Sequence, residues 1–155
     1  MTKILDCTLR DGGHINNWNF SDICVRETLR ACENSAVEYF EAGYNMPQCI
    51  KKSNVKLVIM VDAKNICSVS KNADCVRLAC YPHQISEALD ALEEYKNQGF
   101  EVFLHLMTAD KFEDYERLKN WKNKDILTSI CFADSFGAFM PVDVERIYKK
   151  LQDCG

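Results

Sequence analysis

Hydrophobic and polar positions along the chain alternate between two periods. Short apolar runs rich in β-branched, aromatic and cysteine residues occupy positions 3–9, 37–44, 55–61, 75–81, 101–107 and 129–133, each of strand length. Helical spacing lies between them. Ser21 is placed to cap a helix with Val25, Leu29 and Cys32 on one stripe. Ile85, Ala88, Leu89, Leu92 and Tyr95 repeat at i, i+3, i+4 and i+7, with Gly99 as the stop. Phe112, Tyr115, Leu118 and Trp121 mark another helix. Pro141 opens a last one, with Val144, Ile147, Tyr148 and Leu151 expected to face inward, and the chain ends on it at Gly155. The link 45–54 is short for a crossover helix and predicts an abbreviated turn.

Alternating strands and helices imply a parallel sheet with helical crossovers. The sheet is either open and doubly wound or part of a closed barrel. Polar residues at the carboxyl ends of the strands favour the second. Thr8, Arg10 and Asp11 follow strand one, Glu41 and Tyr44 end strand two, and Asp62 ends strand three. Thr108 follows strand five, and Asp134 and Ser135 end strand six. TIM barrels keep their active sites on that side, whereas the Gly-x-Gly-x-x-Gly turn of dinucleotide-binding open sheets is absent. The expected fold is α/β: a partial TIM (β/α)8 barrel of about six parallel β/α units, forming a single incomplete domain over residues 1–155.

Composition narrows the function classes. The chain is 47% hydrophobic and 27% charged with a net charge of −4, so no basic face points to nucleic acid. No stretch approaches the ~18 apolar residues of a membrane span, and the start does not resemble a signal peptide, which makes the cytoplasm the expected location. The nine cysteines are odd in number and include no Cys-x-x-Cys pair. They read as reduced, mostly buried small hydrophobes rather than a zinc cage or disulfide framework.

The chemistry concentrates in Thr8-Leu9-Arg10-Asp11-Gly12-Gly13-His14. A cation, a carboxylate and an imidazole follow a strand within five residues, and the glycines are expected to let the backbone turn tightly. Arg10 suits a developing enolate oxygen, Asp11 a hard divalent cation, and His14 general-base catalysis. The alternative is a structural Arg–Asp pair beside a surface histidine.

Residues 8–12 (Thr-Leu-Arg-Asp-Gly), 37–44 (Val-Glu-Tyr-Phe-Glu-Ala-Gly-Tyr) and 133–138 (Ala-Asp-Ser-Phe-Gly-Ala) resemble, in order, three motifs of the metallolyase TIM barrels. That superfamily holds hydroxymethylglutaryl-CoA lyase, isopropylmalate and homocitrate synthases, and 4-hydroxy-2-oxovalerate aldolase. A histidine three residues after the Asp is similar to the last of these. The resemblance implies cleavage of a small 4-hydroxy-2-oxo acid to pyruvate and an aldehyde, with Mn²⁺ or Mg²⁺ as cofactor. By it, Arg10 stabilises the pyruvate enolate, Asp11 ligates the metal, and His14 takes the proton of the 4-hydroxyl. Glu41 and Asp134 are inward-facing groups that orient Arg10 and its neighbours, Ser135 holds the substrate carboxylate, and Tyr44 lines the substrate site. His105, sharing strand parity with Phe103 and Met107, either binds substrate or is a satisfied core histidine. Trp18 and Phe20 lie in a loop that covers the site or packs on the rim, and His83 is a loop residue.

The resemblance has gaps. A full barrel has eight strands and typically ~250 residues, and the family's His-x-His of strand seven occurs nowhere in this sequence. With strands seven and eight absent, the chain alone is expected to lack a tight metal site and to show little lyase activity. It reads as a domain or fragment of a longer protein, and its exposed barrel edges invite homo-oligomerisation. Two alternatives stand: a Claisen-type acyltransferase, disfavoured by His14 and the lack of Gly-Glu-Gln, and a non-catalytic binding or assembly module.

Overall fold

The computed structural model describes residues 2–154; Met1 and Gly155 lie outside the described residues. The chain forms two compact units, one of Met1–Val61 with Cys67–Val76, the other of Asp62–Ile66 with Arg77–Gly155.

In the first unit, strand β1 (Leu5–Asp6) leads at once into helix α1 (Thr8–Asn16). Helix α2 (Asp22–Asn34), β2 (Tyr39–Gly43) and β3 (Lys56–Asp62, whose last residue belongs to the second unit) follow. β1 pairs with β2 and β2 with β3, all parallel. The Ser21 hydroxyl accepts from Cys24 N at 3.2 Å and starts α2 as expected, burying Val25, Leu29 and Cys32. Every residue of β2 is buried, as in a parallel sheet covered on both faces. The β2–β3 register slips between Glu41 and Gly43, a bulge that re-aims the side chains around it.

β4 (Cys75–Cys80) passes from the first unit into the second. At its start Asp74 N donates to Leu57 O, and at its end Met107 N donates to Cys80 O. The strand order is therefore β1-β2-β3-β4-β5-β6. The second unit continues with α3 (Ile85–Asn97), β5 (Glu101–Leu106), α4 (Tyr115–Asn120), β6 (Leu127–Phe132) and α5 (Pro141–Gln152). β5 and β6 are parallel. α3 buries the five residues of the anticipated stripe, and Gly99 ends it with a φ of 98° that a side chain disfavours. No helix among the described residues is long and apolar enough to cross a membrane.

Three expectations change. Residues 8–16 form a helix rather than a strand end and turn, because Asp6 accepts from both Thr8 N (3.1 Å) and Thr8 Oγ1 (2.9 Å) and Asp11 N already bonds to Cys7 O. On α5 only Ile147 and Leu151 are buried, while Val144 and Tyr148 are exposed, so the inward stripe is narrower than the spacing suggested. α4 is also shorter than its apolar spacing, which leaves Phe112 and Trp121 outside the helix.

The nine cysteines are all thiols, but only Cys32, Cys75, Cys80 and Cys154 are buried. Burial, with Asp62 adding to it, pushes the Cys80 thiol up to about 12. Alkylation of the native protein should modify exposed Cys24 and Cys67 first and leave Cys80 unlabelled until the protein unfolds, as read by peptide mass spectrometry.

Candidate active site

Parallel pairing of Asp6 with Phe40 sets the start of α1 beside the middle of β2, and that register makes the site. Glu41, between Phe40 and Ala42, has no exposed surface. Its Oε2 accepts from Arg10 Nε at 2.8 Å. The Arg10 side chain is 14% exposed, and its Nη1 also meets Asp11 Oδ1 at 2.6 Å, where the Asp11 side chain is 63% exposed. One guanidinium thus bridges a dehydrated carboxylate and a solvated one. Arginine stays charged and its planar fork fixes direction as well as charge. Glu41 therefore lies within β2 and acts as an anchor, rather than standing at the strand's end.

His14 lies on α1 one turn beyond Arg10 and is exposed. The two glycines before it are helical and do not turn the chain; Gly13 supplies space. A Cβ on Gly13 would fall inside the Trp18 ring. Trp18 follows the left-handed C-cap Asn17, and its indole Nε1 donates to Arg10 O at 3.0 Å. The ring meets His14 edge-on at 4.8 Å and Tyr44 at 5.1 Å. Beside it lies a cavity of about 340 Å³ whose walls include Leu9, Phe20, Val25, Tyr44 and Met46. Of the sequence-derived candidates, Arg10, Asp11, His14, Glu41 and Tyr44 are brought together here, with Trp18 as the element that sequence reasoning left undecided.

The second unit holds a different constellation. Arg77 and His105 are both buried, with Arg77 Nη1 3.1 Å from His105 Nδ1. A guanidinium only donates, so Nδ1 accepts and the ring proton sits on Nε2. Arg77 was missed, although a lone charge inside the apolar run Cys75–Cys80 was the available signal. Thr108 is buried in a left-handed conformation (φ 47°, ψ 49°), and its N–H donates to Ser135 Oγ at 2.9 Å. Asp134, expected to face inward, is instead exposed. Its carboxylate accepts from Phe139 N (2.8 Å) and Ala138 N (2.9 Å), and these backbone donors hold it below the usual carboxylate range. It braces its own loop. His83 is exposed in a short turn, stacked on Tyr81.

Asp11 by itself does not make a metal site. Arg10 already engages its Oδ1, and no group of three or more His, Cys, Asp or Glu side chains that could hold a metal ion occurs among the described residues. The residues present do not fit a divalent ion on their own.

No family model matches the chain. It is 20% identical, over 96% of its length, to the oxaloacetate decarboxylase of Mycobacterium tuberculosis (strain ATCC 25618 / H37Rv), of which it covers 52%. The solved "N-terminal domain of a putative aldolase" from Bacteroides vulgatus superposes with a TM-score of 0.82 at 29% identity, over 97% of this chain and 60% of that one. The chain therefore spans about half the length of the curated relative it matches. The fold is α/β, a partial TIM barrel, and the proteins it is similar to carry lyase and aldolase names.

Glu41→Ala would remove the buried partner of a largely buried guanidinium and leave it only the solvated Asp11. It should destabilise the protein by about 3 kcal/mol or more, read from the urea midpoint. Asp134 should titrate below the ordinary value of 3.8 in carboxyl NMR. Because the folded value is the lower one, its stabilisation is present above the ordinary value and is lost as pH falls through the folded one. Asp134→Asn should remove that acid-side dependence.

Proposed function

We propose that this chain supplies the enolate-stabilising part of a carbon–carbon lyase acting on small 2-oxo acids. The observation that carries the proposal is the Arg10 guanidinium, fixed from inside by Glu41 at 2.8 Å and flanked by solvated Asp11 at 2.6 Å.

Breaking a carbon–carbon bond two atoms from a 2-oxo group leaves an enolate. Retro-aldol cleavage of a 4-hydroxy-2-oxo acid and decarboxylation of oxaloacetate both leave the enolate of pyruvate. Its oxygen carries charge that the substrate carbonyl did not, so a preplaced cation there stabilises the transition state more than the ground state. Arg10 is such a cation, and its position costs nothing to set at the moment of reaction because Glu41 has already set it. The aldol route also needs a base for the 4-hydroxyl. His14 is exposed on the same helix, edge-on to Trp18, and takes that proton. Tyr44, across the same indole, lines the substrate site. The Mn²⁺ or Mg²⁺ implied by the resemblance needs ligands beyond Asp11, and none of these steps uses it.

A second reading, oxaloacetate decarboxylation, draws on the mycobacterial relative. That reaction has no hydroxyl proton to remove, so His14 separates the two.

The test measures pyruvate release by the protein that carries this chain, from 4-hydroxy-2-oxovalerate and from oxaloacetate. Arg10→Lys keeps the charge but loses the fork, and should lower kcat on either substrate by about 10²-fold or more. His14→Ala should cut aldol cleavage by about 10²-fold while sparing decarboxylation. Full turnover of both substrates by Arg10→Lys would end the proposal.

A further inference from the structure

The segment after α1 places two successive non-glycine residues in the left-handed region, Asn17 at φ 53° and Trp18 at φ 57°. L-residues visit that region at a cost, and such strain persists only where the surroundings enforce it. Here the enforcing contacts run to the groups that the proposed chemistry uses. We infer that Trp18 is a positioning residue of this site: its indole clamps α1 against the end of β2 and so keeps the Arg10 guanidinium on the line Glu41 sets. This rests on the 2-oxo acid lyase reading.

Four observations support it, all within the first unit. The indole N–H donates to the main-chain oxygen of Arg10 itself, at 3.0 Å. The ring seats on Gly13, where no Cβ fits. It also faces Gly43, where a Cβ would stand 3.2 Å from Trp18 Cδ1 and where φ is +142° at the β2 bulge. Finally, its edges meet His14 at 4.8 Å and Tyr44 at 5.1 Å. Thus one side chain touches the residue bearing the cation, the proposed base and the strand end next to the anchoring carboxylate.

Simple rim packing would account for less. Covering apolar surface requires an indole but not a donor aimed at Arg10 O, which the helix ladder can satisfy without help. Nor does it require two positions cleared of side chains in elements thirty residues apart, or two strained residues in a row. Together these features fix the angle of the ring, and through it the seating of α1. A guanidinium that stabilises an enolate is sensitive to displacements of this kind, since a shift of about 1 Å can cost about 10²-fold in rate.

The test uses steady-state pyruvate release from 4-hydroxy-2-oxovalerate by the protein carrying this chain. Three variants are compared with the parent, each with its folded fraction measured by circular dichroism. Trp18→Phe keeps an aromatic ring and loses the donor. Gly13→Ala leaves Trp18 intact and fills its seat, which guards against an effect peculiar to the aromatic change. Ile15→Ala alters α1 at a side chain 92% exposed and serves as the control. Trp18→Phe and Gly13→Ala should each lower kcat per folded enzyme by about 10-fold, with KM changed by less than about twofold, because positioning acts on the transition state. Ile15→Ala should match the parent.

Parental kcat in both Trp18→Phe and Gly13→Ala, or a loss explained wholly by the unfolded fraction, would overturn the positioning role. An equal rise in KM with kcat unchanged would overturn it too, making Trp18 a substrate contact. Arg10→Lys run beside them separates the two levels. If it is inactive while Trp18→Phe is fully active, only the positioning role fails. If Arg10→Lys is fully active, the lyase reading fails with it.

Discussion

A carboxylate with no contact to water is tolerable only where a charge and hydrogen bonds replace its hydration. Glu41 meets that condition through Arg10, at 2.8 Å, in the middle of a strand whose neighbours Phe40 and Ala42 are fully apolar. Everything around the site follows from that pairing. It ties α1 to β2 and orients a guanidinium that cannot be neutralised by losing a proton. It also leaves Asp11 as the outer, solvated partner of the same cation. Energetically such a pair is a poor way to hold two elements together, because desolvation consumes most of the attraction. An apolar pair would serve stability better, so the ion pair makes most sense as a device for placing charge.

The second unit also buries a cation beside a strand. Arg77 and His105 are buried on β4 and β5 and face each other at 3.1 Å. Thr108 adopts a left-handed conformation just after β5, with its N–H given to Ser135. In each unit polar groups and strained residues thus lie within the strands or in the segment that follows one, while α2 and α3 keep ordinary apolar stripes. That segregation is how a barrel scaffold separates stability from chemistry. Similarity to an oxaloacetate decarboxylase and to an aldolase N-terminal domain agrees with a scaffold of that kind.

The site also shows how glycine can matter without any turn. Gly13 is helical and buried, and its missing side chain is the seat of an indole. Gly43 serves the same ring from the strand side, where positive φ and close approach coincide. An aromatic ring between two glycines is held by shape, and the hydrogen bond to Arg10 O then fixes its rotation.

Much of this was written in the pattern of the chain. Six apolar runs gave six strands, and β2, β3, β4 and β5 are buried along nearly their whole length, as strands covered on both faces are. Helices α2 and α3 followed from Ser21, Gly99 and the 3.6-residue stripe, which are local features with local causes. Arg10, Asp11 and Glu41 could be singled out because polar groups recurring after successive parallel strands mark the side on which barrels keep their sites. The structure decided what depends on distance. That residues 8–16 coil rather than turn shows only in the backbone, where Asp11 N bonds to Cys7 O, and a glycine pair reads the same either way. The meeting of Arg10 with Glu41, thirty-one residues apart, required the β1–β2 register. The contacts of Trp18, the burial of Arg77 and the outward turn of Asp134 came from packing that no period encodes. Sequence periodicity records which face of an element avoids water; which polar group it will meet there is settled only when the strands align.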